Sequence, residues 1–95
     1  MKLNFKNFRI PAGIAKKNYN EVDVREQIAD LLYTHANGVR AHSLAFKILD
    51  SNGDEDYTMD EAAMVRQVVE HFCVPCVIDA FDELIESQTK EEGGE

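Results

Sequence analysis

The chain has 95 residues, a formal charge of −8 and a pI of about 4.7, with 44% apolar and 29% charged residues. That length supports one modest core, and the acidity argues against a nucleic-acid partner held through its phosphates. No apolar run approaches the roughly 20 residues that span a bilayer, so no membrane partner is expected. The opening MKLNFKNFRIPAG lacks an apolar signal core, which points to a cytoplasmic protein. Two cysteines are too few for a secreted disulfide framework.

Charge is unevenly placed. Residues 1–20 carry Lys2, Lys6, Arg9, Lys16 and Lys17 without an acid, whereas residues 21–95 carry all 18 acids. The basic segment should lie against the acidic remainder or present a basic face to a partner. Leu3 and Phe5 alternate with polar residues, and Phe8 and Ile10 resume the alternation after a phase shift near Asn7. With Pro11-Ala12-Gly13 as turn chemistry and Ile14 to Tyr19 returning, residues 1–19 read as a β-hairpin.

From Asn20, a candidate N-cap, the period becomes helical. Val24, Ile28, Leu31 and Leu32 mark a first stripe, closed by Asn37-Gly38 as a left-handed stop. Ala41, Leu44, Ala45, Ile48 and Leu49 mark a second, which ends in the polar run from Asp50 to Asp56. Thr58 and Glu61 have capping-box spacing ahead of Met64, Val65, Val68, Val69 and Phe72. Pro75 breaks that helix and suits the first turn of the next, whose stripe is Val77, Phe81, Leu84 and Ile85. The expected fold is mostly α, an α+β arrangement: a hairpin over residues 1–19, then about four short amphipathic helices packed as a small bundle over residues 20–87. Residues 88–95 have nothing to bury and read as a disordered acidic tail.

Two stretches carry possible chemistry. Asp50, Asn52, Asp54, Asp56 and Glu61 lie within a twelve-residue span that resembles an EF-hand loop, which gathers oxygens around calcium. Glu55 stands where that loop requires glycine, Tyr57 replaces its aliphatic position, and no second hand is present. Cys73-Val74-Pro75-Cys76 has the C-x-x-C spacing of thiol-redox sites, but a helical stripe precedes it where the thioredoxin fold needs a strand. With His71 nearby, zinc is a further possibility that lacks enough ligands. No Ser/His/Asp set, P-loop or Rossmann glycine pattern is present, so no enzyme is expected.

The order of elements resembles a loose group of small acidic proteins encoded by bacterial phages and prophages. It runs from the KLNF segment through Val24 to Tyr33, then Leu44-Ala45-Phe46-Lys47-Ile48, a polar loop, a Glu-rich helix start and a Pro-led last helix. The resemblance implies an accessory or morphogenesis role exercised through protein contact without a cofactor. The expected function is therefore a non-catalytic interaction or assembly protein that binds another protein or itself. Lys2, Phe5, Phe8 and Arg9 of the hairpin are the candidate contact residues. A degenerate calcium-binding hand is the alternative, and a redox pair of Cys73 and Cys76 the third reading.

Overall fold

In the computed structural model, which describes the backbone of residues 1–93 and the side chains of residues 1–87, Asn4 sets the course of the amino-terminal segment. Its Oδ1 accepts from the amides of Lys6 at 3.0 Å and Asn7 at 2.9 Å. This side-chain turn bends the chain between β1 (Lys2–Asn4) and β2 (Phe8–Pro11), and it is the physical cause of the phase shift near Asn7. Because of the bend, the two strands join different sheets. β2 pairs antiparallel with β3 (Tyr19–Val22), Phe8 opposite Val22 and Pro11 opposite Tyr19. β1 instead pairs with β4 (Asp54–Asp56), Leu3 opposite Glu55.

The hairpin thus exists with different strands from those expected. Its return strand begins at Tyr19, and Ile14 lies fully exposed in the intervening loop. Asn20, the expected helix cap, sits in β3. The first helix, α1, runs Arg25–His35 behind Val24, which caps it without a side-chain hydrogen bond. Asp23 still serves the helix start, since its carboxylate accepts from the Arg25 amide and guanidinium.

α2 (Val39–Asp50) follows at once. Gly38 has φ 98° and ψ 167°, a conformation open essentially only to glycine, and it leads into α2. α1 itself ends on an extended Ala36, not on a left-handed residue. After α2 the chain bends at Gly53, where φ is 120°. The bend leads into β4, a strand of three acids that no alternation announces.

α3 (Met59–Phe72) starts on the capping box read from the sequence: the Glu61 amide donates to Thr58 Oγ1, and the Thr58 amide donates to Glu61 Oε1. α4 spans Pro75–Gly93, so the segment expected as a tail is helical through Gly93. Gly94 and Glu95 lie outside the described residues, as do the side chains from Gln88 onward.

The helices do not form a regular bundle. α1 packs mainly on α2, α3 touches α1 and α4, and α4 lies chiefly against β2. The core joins distant parts of the chain around Phe5. Its ring meets Phe8 at 6.0 Å, Tyr57 edge-on at 5.6 Å and Phe81 at 6.3 Å. Leu3, Ile28, Leu32, Leu44, Ile48, Val65 and Val69 complete it, all fully buried. Phe5 and Phe8 are therefore structural residues and not the contact residues expected of the hairpin.

Charged pairs fasten the periphery. Lys16 on the hairpin loop reaches Asp79 and Glu83 of α4, and the Tyr19 hydroxyl donates to Glu83 at 3.0 Å. Arg66 grips Asp82 with two hydrogen bonds and so ties α3 to α4. Lys47 on α2 lies over the Tyr57 ring and pairs with Glu61. The basic segment lies against the acidic remainder, as its charge suggested.

Candidate interaction surface

Helical geometry leaves a second face on α1 and α2, flanking the core stripe. Residues three and four apart share a face, so Glu26, Asp30 and Tyr33 line one side of the α1–α2 seam. His42, Phe46 and Leu49 line the other. Tyr33 is 60% exposed, Phe46 46% and Leu49 41%, too open for a core and too apolar for an ordinary solvated face. The aromatic rings hold one another: Tyr33 meets Phe46 edge-on at 6.1 Å, and His42 lies 5.0 Å from Phe46 and 5.9 Å from Tyr33. Between them runs a groove of about 180 Å³, floored by the small side chains Ala29 and Ala45.

A second groove of about 350 Å³ continues from the first along α1. It shares Asp30 and Leu49 and adds Asp23, Arg25, Glu26 and Gln27. Arg25 does not neutralise this end. Its Nε and Nη2 are spent on Asp23, and Nη1 donates to the Ser51 carbonyl at 2.6 Å. Among the described residues, the Glu26 and Asp30 carboxylates have no cationic partner. The combined seam is an aromatic trough with an acidic end.

A wider groove of about 590 Å³ lies at the far end of α1, beside Met64, Val68 and His71. Phe72, expected in the core, is 51% exposed there, with the His35 ring stacked on it at 4.1 Å. That stack already covers one face of the ring.

The residues singled out in the sequence fall elsewhere. Lys2 is exposed and pairs with Asp56 across the β1–β4 ladder at 3.5 Å. Arg9 is exposed opposite Glu21, its guanidinium 4.6 Å from the Tyr19 ring centroid. Of the polar loop, Asp50 ends α2, Asn52 accepts from Lys6 Nζ, and Asp54 and Asp56 lie on β4. Glu61 is held by the Thr58 amide and Lys47. Lysines thus already engage two of the five donors, Asn52 and Glu61. Among the described residues no group of three or more His, Cys, Asp or Glu side chains is placed to hold a metal ion.

Cys73 ends α3 half-buried, and Cys76 is exposed in the first turn of α4; both thiols are free. Burial pushes the Cys73 thiol up, away from the thiolate that redox chemistry needs. Tyr33 and Phe46 interrupt the polar side of each stripe. That position, aromatic where a helix should be polar, is the signal by which the sequence could have shown them.

No helix among the described residues is long and apolar enough to cross a membrane. Comparison with protein families, curated proteins and solved structures finds no match to this chain.

Proposed function

We propose that this protein is a non-catalytic interaction or assembly module that binds another protein through the α1–α2 seam. The observation that carries the reading is the open aromatic group of Tyr33, His42 and Phe46 beside Leu49, a contiguous apolar strip with charged residues at its end. Aromatic residues packed on one another lose little entropy on binding and present large area, which is why they anchor protein interfaces. Covering the exposed parts of Tyr33, Phe46 and Leu49 is worth on the order of 1 kcal/mol each.

The test places a photo-cross-linking benzoylphenylalanine at position 46 or, as a control, at position 17 on the exposed hairpin loop, in the cell that produces the protein. A discrete protein adduct from position 46 and none from position 17 is expected. An adduct from position 17 alone would return the interface to the hairpin, and no adduct from either would remove the reading.

A further inference from the structure

We infer that the partner segment received by the α1–α2 seam is a cationic amphipathic helix, which sets an apolar side chain between Tyr33 and Phe46 and a Lys or Arg beside Asp30 and Glu26. This rests on the interaction reading above and adds the chemistry of the occupant. The two adjoining grooves differ in kind, the first apolar and floored by alanines, the second acidic, and Asp30 and Leu49 belong to both. A segment that fills both must carry an apolar group and a cation within a turn or two of each other, as a basic amphipathic helix does on one face.

Charge selects among occupants. Arg25 is saturated by Asp23 and Ser51, so the carboxylates of Glu26 and Asp30 remain to be matched from outside. The formal charge of −8 draws a cationic segment in from a distance and repels an acidic one. A second copy of this chain, pairing parallel across the seam, would set Glu26 and Asp30 against their own counterparts. In an antiparallel pairing it would set them toward the Tyr33–Phe46 end of the groove, whose lining holds no Lys or Arg. Neither seam-on-seam pairing of two copies matches these carboxylates, so the occupant we assign is a basic segment of another protein.

The probe is a synthetic 14-residue Leu/Lys amphipathic helix, compared with a Leu/Glu helix of the same pattern and with a Leu/Lys peptide of scrambled order. Binding to the full chain is followed by amide chemical shifts and by fluorescence anisotropy. The Leu/Lys helix should saturate at one per chain and shift amides along α1 and α2. The scrambled peptide should bind at least tenfold more weakly, and the Leu/Glu helix not at all. Phe46→Ala, at an exposed position whose loss spares the core, should weaken binding about tenfold. Glu26→Gln with Asp30→Asn should weaken it and flatten its salt dependence.

Shifts spread over the whole acidic surface, or binding indifferent to Phe46→Ala, would overturn the inference. So would a dimer in sedimentation that buries this face. A cross-link from position 46 without binding of the Leu/Lys helix would also overturn the cationic partner, while leaving the interaction reading in place.

Discussion

Thr58 and Glu61 show how much one pair of side chains contributes at the residue scale. Each satisfies an amide that the first turn of α3 would otherwise leave orphaned, and Lys47 ties Glu61 to α2. Thr58→Ala should cost about 1 kcal/mol in urea denaturation, the usual worth of an N-cap. Burial raises the Glu61 carboxyl, but the Thr58 amide and Lys47 outweigh it and hold the group below the ordinary carboxylate value. Hydrogen bonding from Lys16 does the same for Glu83, and from Arg25 for Asp23. A depressed carboxyl means that the unfolded chain binds more protons in acid. The stability these groups add is complete above their unfolded values, near pH 4 to 4.5, and fades as pH falls through the folded ones. The melting temperature should thus hold steady from pH 7 to about 5 and decline below about pH 4.5, less steeply in Glu61→Gln. For the cysteines, alkylation at pH 8 should label exposed Cys76 well before Cys73, whose thiol burial holds protonated. Equal rates would show that Cys73 is not shielded as described.

At the scale of elements, the amino-terminal segment is two devices and not one hairpin. β1 ties the chain start to the loop before α3, and the Tyr57 amide extends the ladder by donating to the Met1 carbonyl at 2.7 Å. β2 and β3 form the hairpin, docked on α4 through Phe8 below and through Tyr19, Lys16 and Glu83 at the rim. Phe8→Ala should cost about 3–5 kcal/mol, as for other fully packed aromatics. Lys2→Glu together with Arg9→Glu removes the exposed Lys2–Asp56 pair and the Arg9 contact with the Tyr19 ring and should cost about 1 kcal/mol or less in total. Urea denaturation of both variants checks the contrast. A large loss in the charge variant would mean that the strands are held by their ion pairs and not by burial. α2 makes the same division on one helix: Leu44 and Ile48 hold the core, while Phe46 and Leu49 are left to the surface.

Over the whole molecule, one ring connects what the sequence separates. Phe5 touches Phe8 of the hairpin, Tyr57 before α3 and Phe81 of α4. A small domain is stable by only about 5–15 kcal/mol, so losing about 3–5 kcal/mol at Phe5→Ala should leave it marginal at 37 °C. Removing residues 1–11 takes away Leu3, Phe5 and Phe8 together and should abolish cooperative unfolding in calorimetry. A truncated chain that still melts cooperatively would show that the helices hold a core of their own. The basic segment belongs to this same organisation, because Lys2, Lys6 and Lys16 all find partners on the acidic body.

The helices were legible because a period of 3.6 is a local property: Ile28 and Leu32, Leu44 and Ile48, Val65 and Val69 declare their faces wherever the rest of the chain lies. The capping box at Thr58 and the break at Pro75 are local in the same sense, each set by hydrogen bonding or backbone constraint within a turn. The partner of β1 was not legible, since Asp54-Glu55-Asp56 carries no alternation and becomes a strand only where Leu3 is buried beside it. Nor was the start of α1, because residues 19–22 yield to pairing with β2 whatever Asn20 would do as a cap. The seam belongs to neither class entirely. Aromatic residues on the polar side of each helix stand in the sequence, but only the packing of α1 on α2 brings Tyr33 to Phe46 and sets their groove beside Asp30. Periodicity and caps follow from the chain alone because they act within a turn or two. Strand partners and binding surfaces follow from the tertiary structure because they join residues that only folding brings together.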